Sequence, residues 1–298
     1  MTLEQLRIFV TVAERLNMTR AAEALHLTQS AVSAAVAALE TRHATRLFDR
    51  VGRGLALSEA GRAFLPEARA VLARAAEAEA LLDDLAGLRR GSLRIAASQT
   101  VASYWLPSRI ARFGAAHPGV AVAFEAMNTA QVAAAVLAGE AELGFVEGRV
   151  VEPALAQRRV GGDRLGLYVG IDDPLAGRAL APADLPRLAW ALRERGSGTR
   201  DHFERTLEGF GIPADTLDVR LELPSNEAVL GAIEAGGLVA AVSALAAGPH
   251  YAAGRIGRID LALPPRDFTL LVHGDRRRSR AGEAFLAELD EAAKLSHR

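Results

Sequence analysis

Apolar residues recur at helical spacing up to about position 90 and then change to short alternating runs separated by helical stretches, which divides the chain in two. Leu3, Leu6, Phe9, Val10 and Ala13 form one stripe, and Thr2 with Gln5 has the spacing of a capping box, so a helix opens the chain. Two short helices joined by a tight turn follow over 19–40, the second with Thr28 as its N-cap. Val32, Val36 and Leu39 bury the inner face of that helix and leave Thr28, Gln29, Ser30, Ser33, Ala34 and Ala37 at its start and outer face. A solvated helix ordinarily carries Glu, Lys or Arg there. Small and short polar side chains suit close approach to base edges in a major groove, as in a helix-turn-helix, although any small helical bundle shares the periodicity.

After Glu40, Gly52 and Gly54 bracket Arg53 between two short apolar runs, predicting a β-hairpin wing whose arginine reaches phosphates or the neighbouring minor groove. Ser58 then starts a helix running to about Arg89. Along it Phe64, Ala68, Val71, Ala75, Ala78, Leu82 and Leu85 alternate by four and three residues, a coiled-coil seam that needs a partner. Pro66 is expected to kink this helix or displace its beginning.

From Ser92 the pattern is that of an α/β protein with largely parallel sheets. Strands are predicted around 93–97, 120–126, 142–147, 164–171, 188–192, 219–222, 238–243 and 268–273. Helices precede His117, follow Thr129, Ser197–Thr199 and Ser225-Asn226, and span 280–293. The last strand and helix return to the first sub-domain, which makes a two-lobed, hinged binding unit. The domain boundaries read as 1–58, a linker helix 59–90, and 91–298, with one lobe of about 91–162 plus 266–298 and another of about 163–265.

A chain of 298 residues, half of them hydrophobic, is long enough for two or three cores. Cysteine is absent, which excludes disulfides, thiolate metal sites and cysteine nucleophiles. No basic leader precedes an apolar core and no run approaches the roughly 18 apolar residues of a spanning helix, so the expected setting is the cytoplasm, without membrane contact. Net charge is −1, +2 over 1–62 and −3 over the rest, which argues against coating nucleic acid along the whole surface.

Several strand-to-helix junctions carry hydroxyl or amide residues instead of acids: Ser98-Gln99-Thr100, Asn128-Thr129, Ser197-Gly-Thr199 and Ser225-Asn226. Singly these are ordinary N-caps. Together, at the ends of strands in an open α/β sheet, they favour a small anionic ligand held by helix N-termini, with Arg193 and Arg195 flanking one junction. Nucleophile-elbow, phosphate-loop and zinc-protease motifs are all missing, and the histidines lack metal-ligand spacing, so neither an enzyme nor a cofactor or metal site is expected.

Thr19-Arg-Ala-Ala-Glu-Ala-Leu-His-Leu-Thr-Gln-Ser-Ala-Val-Ser33, Leu47-Phe-Asp-Arg50 and Leu57-Ser-Glu-Ala-Gly61 occur in the order of a known N-terminal signature, and the whole chain resembles the LysR-type transcriptional regulators. Ala97–Thr100, Tyr104–Pro107, Asn128-Thr129, Arg193–Arg200 and Ser225–Ala228 are similar to the branch that includes regulators of sulfur assimilation and carbon fixation. The resemblance implies a winged helix-turn-helix, a linker helix for dimerisation and a periplasmic-binding-protein-like α/β effector domain. It implies double-stranded DNA, a small effector and a second or fourth copy of the chain as partners, and leaves room for RNA polymerase. Thr28, Gln29, Ser30, Ser33, Ala34, Arg50 and Arg53 would then contact DNA, and Ser98, Gln99, Thr100, Thr129, Glu147, Arg193, Ser197 and Thr199 the effector, for which sulfite and sulfate lead. An anion solute-binding protein is the alternative for the second part, and an aromatic or phosphorylated effector the alternative ligand. The chain departs from the family at Ala44, usually glycine, at His43, usually apolar, at Ala34, often basic, and at Arg195, commonly proline.

Overall fold

The computed structural model describes residues 1–51, 54–85, 91–148 and 150–296 and divides into two compact units, Met1–Leu85 with Ala138–Glu140, and the remainder. In the first unit, α1 (Leu3–Arg15) starts on the expected capping box: Thr2 Oγ1 accepts the Gln5 N–H at 3.2 Å and Gln5 Oε1 accepts the Thr2 N–H at 3.0 Å. Asn17 caps α2 (Met18–Leu25) by accepting the N–H groups of Thr19 and Arg20, and Thr28 caps α3 (Gln29–His43) by accepting that of Ala31. Ala44 ends α3 in the left-handed region, φ 47°, where a Cβ costs about 1 kcal/mol that glycine avoids.

The wing pairs β1 (Phe48–Val51) with β2 (Gly54–Leu57) antiparallel; its tip, with Arg53, lies outside the described residues. Glu40 Oε1 accepts the N–H groups of Leu47 and Phe48 at 2.7 and 3.2 Å, which fixes the wing to the end of α3. Ser58 sets the start of α4 (Glu59–Leu85): its hydroxyl donates to the Arg46 carbonyl and accepts the Gly61 N–H. The helix therefore begins where that cap puts it, and Pro66 sits inside it without displacing the start. The predicted seam is not uniform. Phe64 lies 5.1 Å from the Phe9 ring and Ala68 is buried, so the first turns pack on α1, whereas Val71 and Ala78 are exposed; the side chains of Leu82 and Leu85 lie outside those described.

The second unit contains β3 (Gly91–Ser98), α5 (Pro107–Ala116), β4 (Val120–Met127), α6 (Thr129–Ala138), β5 (Leu143–Glu147), β6 (Leu155–Gly170), β7 (Ala189–Arg193), α7 (Gly198–Gly209), β8 (Asp218–Leu223), α8 (Asn226–Glu234), β9 (Ala240–Ser243), α9 (Ala244–Ala252), β10 (Ile256–Ile259), β11 (Pro265–His273) and α10 (Arg280–Ser296). Among the described residues, β3 pairs in parallel with β4 and β5, and β7 with β8, and two isolated parallel bridges join Ala179 to Asp260 and Trp190 to Val239. The expectation of largely parallel sheets is corrected by the crossovers. The chain leaves the first lobe on β6 and returns on β11, so these strands run antiparallel to each other, and β6 pairs antiparallel with β9 and β10. With 16 residues, β6 serves both lobes: its first part faces β11 and its second part β9 and β10.

Each lobe has its own core. Leu93, Ile95, Phe113, Phe145, Phe268 and Phe285 fill the first, with Trp105 against Phe145 and Phe268; Leu167, Trp190, Phe203 and Leu207 fill part of the second. No helix among the described residues is long and apolar enough to cross a membrane.

Candidate functional site

In the first unit the start of α3 is an exposed polar ledge. Thr28, Gln29, Ser30 and Ala34 are exposed and Ser33 is half-buried. Gln29 Nε2 donates to Ser33 Oγ at 2.8 Å, and the Thr28 and Ser30 hydroxyls lie 3.1 Å apart, so these groups are tied in pairs while still offering donors and acceptors outward. Arg50 is exposed on β1. Arg53 falls outside the described residues.

In the second unit, strand ends bring the predicted ligand residues to one buried polar cluster. Ser98 closes β3, Thr100 precedes a single π-helical turn, Thr129 opens α6, Glu147 closes β5 and Thr199 lies in the first turn of α7. Ser98, Thr100, Thr129, Glu147, Arg193, Ser197 and Thr199 are all buried, and Gln99 is half-buried. Thr129 does not cap its helix. Asn128 does, exchanging hydrogen bonds with Gln131, and this leaves the Thr129 hydroxyl to donate to Glu147 at 3.4 Å. Gln99 crosses to the other lobe, where its amide donates to the Pro224 carbonyl at 2.8 Å.

Arg193 is not a spare cation. Its guanidinium forks onto Glu194 at 2.8 and 3.0 Å and donates to Asn226 Oδ1 at 3.1 Å, while Arg195 is exposed. The central charge is Arg266, which sequence reasoning missed. Its side chain is fully buried and donates to Asp163 at 2.5 and 2.9 Å, to Thr199 Oγ1 at 2.9 Å and to Thr100 Oγ1 at 3.3 Å. Asp163 also accepts from Ser243 at 2.5 Å, and Asn226 donates to Thr100 Oγ1 at 3.2 Å. One signal pointed to Arg266: it stands two residues before the core residue Phe268, on the same face of β11. An open groove of about 980 Å³ runs along β6 and β11 past Leu245 and Leu289, and shares only Asp163 and Arg266 with this cluster.

Glu147 lies at the start of α7. A Cβ on Gly198 would come within 2.5 Å of Thr129 Oγ1, 2.7 Å of the Glu147 carbonyl and 3.2 Å of Glu147 Oε2, so glycine is what lets α7 approach β5. Glu147 Oε1 accepts the Thr100 N–H at 3.1 Å. Burial alone would raise the pKa of this carboxyl, but Arg266 and the surrounding donors outweigh it and hold Glu147 below the usual carboxylate range. Ser98 Oγ is buried and makes no hydrogen bond of acceptable geometry. Ser197 at the N-cap of α7 makes no side-chain capping bond, and the α7 N-terminus adds its partial positive charge. Such a cluster offers hydroxyl and backbone donors to an oxygen-rich ligand.

Residues 3–62 match the family described as bacterial regulatory helix-turn-helix protein, lysR family, and residues 86–294 the LysR substrate binding domain. The chain is 33% identical over 293 residues to the "Uncharacterized HTH-type transcriptional regulator YeiE" of Escherichia coli (strain K12), covering 98% of each. It is 34% identical over 300 residues to the "RuBisCO operon transcriptional regulator" of Allochromatium vinosum, covering 99% of this chain and 97% of that one. Full-length CbnR, solved in complex with its target DNA, is similar in fold: TM-score 0.67, 24% identity, 98% of this chain and 100% of that one. The regulatory domain of Synechocystis PCC6803 CcmR in complex with 2-PG matches with TM-score 0.62 and 26% identity over 69% of this chain and 98% of that one. An exposed helix-turn-helix ledge, a two-lobed α/β unit and these matches together place the chain in the LysR family, whose members regulate transcription by binding DNA through the first domain and a small-molecule effector through the second.

Proposed function

We propose that the second unit senses a small anion, sulfite or sulfate ahead of a small carboxylate, between its two lobes. In the same reading Gln29 and Ser33 meet base edges, Thr28, Ser30 and Ala34 lie against the DNA beside them, Arg50 and Arg53 hold phosphates, and the α4 row from Val71 onward joins copies into a homodimer or homotetramer in the cytoplasm. One observation carries the ligand reading: the donors of Ser98, Thr100, Thr129 and Thr199 converge at one buried cluster. Thr100 Oγ1 accepts two hydrogen bonds and Thr199 Oγ1 one, which leaves both hydroxyl protons to donate. Compact oxyanions use many donors without filling volume, whereas an aromatic acid also wants an apolar slot. Trp105 does not supply one, because it packs in the first core, and the Tyr104 hydroxyl is engaged by Glu227. The 2-PG complex of the similar Synechocystis domain supports a small-molecule effector.

A melting screen over anions tests this, because a ligand selective for the folded state raises stability by RT ln(1 + [L]/Kd). Sulfite or sulfate is expected to raise the Tm, and Thr100→Val to remove the shift. An aromatic acid that shifts the melt while sulfite, sulfate, phosphate and small carboxylates do nothing refutes the small-anion reading.

A further inference from the structure

Glu147 already holds donors that an incoming oxyanion would use: the Thr100 N–H at 3.1 Å, the Thr129 hydroxyl at 3.4 Å and a place against the start of α7 at Gly198. Arg193 is matched by Glu194, whereas Asp163 and Glu147 share the single charge of Arg266, the first through an ion pair and the second through its field, so these groups together carry one excess negative charge. Ser98 Oγ is buried in the same cluster, has no hydrogen bond of ordinary geometry, and lies close enough to Glu147 to help keep its carboxyl ionised. A fully charged dianion entering here meets a like charge in a desolvated place, where Coulomb repulsion is weakly screened.

We propose that Glu147 is a built-in occupant of the anion cradle and grades the effectors by charge: it weakens the binding of dianions relative to monoanionic oxyanions of the same shape, which enter as Glu147 gives up its donors. This rests on the small-anion reading above. With Glu147 neutral or withdrawn, the cradle has balanced charge, with Arg266, the free hydroxyls and the α7 N-terminus turned to the ligand. Glu147 is thus both a fixed member of the cluster and a filter on what replaces it.

The test is calorimetric titration of the full-length protein and its Glu147→Gln variant with sulfate and with methanesulfonate, a tetrahedral monoanion of similar size. The wild type should bind methanesulfonate more tightly than sulfate, and Glu147→Gln should tighten sulfate at least tenfold while changing methanesulfonate less. Glu147→Asp, which keeps the charge but retracts it by one methylene, should tighten sulfate in the same direction by a smaller factor, and serves if the glutamine variant does not fold. Unchanged or weaker sulfate binding in the variants, beside a wild type that binds either anion, overturns the proposal and leaves the small-anion reading standing. If sulfate, methanesulfonate, sulfite, phosphate and small carboxylates bind none of the three proteins, both fail.

Discussion

Asp163→Ala removes the carboxylate that receives Nε and Nη2 of Arg266 and the hydroxyl of Ser243. The side chains of Arg266 and Asp163 are 0% and 3% exposed, so the variant strands a guanidinium out of water without its hydrogen-bonded counter-charge. Breaking a buried pair from one side costs roughly 3–5 kcal/mol, and the nearby Glu147 places this case at the low end, about 3 kcal/mol. For a domain of roughly 150–250 residues, each 1 kcal/mol moves the Tm by about 2–4 °C, so the effector-unit transition should fall by about 6–12 °C. The control is Asp267→Ala. Asp267 pairs with Arg159, but the two side chains are 57% and 71% exposed, and such surface pairs contribute about 0–1 kcal/mol. Replacing both members, Asp163→Ala with Arg266→Met, should recover part of the loss because no unpaired charge remains. The assay is a thermal melt followed by circular dichroism. Equal Tm values for the Asp163 and Asp267 variants would refute the view that Arg266–Asp163 is a buried, tightly coupled pair.

On DNA, Arg50→Ala and Arg53→Ala should weaken binding to every sequence and lower the salt slope by about one each, whereas Ser33→Ala frees Gln29 from its bond and should mainly relax sequence preference; an Arg53→Ala protein with unchanged affinity and slope would remove the wing from the interface. Leu82→Asp puts a charge in the α4 seam and should dissociate the oligomer in light scattering; an unchanged oligomer would assign assembly to another surface. Burial lowers the pKa of His202 most, against a partial rise from its bond to the Pro264 carbonyl, so the native state prefers the neutral ring. Its contribution to stability is therefore full above the ordinary histidine value of about 6.5 and is lost as pH falls through the lower native value; the Tm of His202→Gln should fall less steeply than wild type below that pH, and parallel curves would contradict it.

Helix-turn-helix elements were legible in the sequence because local signals agree there: capping residues at Thr2 and Thr28 and the buried row Val32, Val36, Leu39 all point to the same helices. The buried polar cluster was half legible. Hydroxyl-rich strand ends mark Ser98, Thr100, Thr129 and Thr199 from short-range pattern alone, but the identity of the central cation depends on long-range pairing between β6 and β11, which brings Asp163 opposite Arg266. Arg193 looked like the charge because it adjoins a junction; its neighbour Glu194 neutralises it, and only the fold reveals that fork. The first half of β6 escaped notice because Gln157, Arg158, Arg159 and two glycines give it a polar, weakly strand-forming sequence, and its neighbour β11 supplies what propensity does not. Of the two effects expected of Pro66, a displaced helix start is not what the structure shows, because the Ser58 cap and the packing of Phe64 and Ala68 on the first helix fix where α4 begins.

The central claim, that an anion in the second unit controls how the first unit binds DNA, is tested most directly by fluorescence anisotropy and footprinting on the DNA upstream of the protein's own coding sequence, with and without sulfite and sulfate. The wild type should bind this DNA specifically and change its affinity or the extent of its footprint when the anion is added, and Thr100→Val should bind the DNA equally well but give no change. Specific DNA binding that stays identical in affinity and footprint at anion concentrations that saturate the thermal shift would contradict the account.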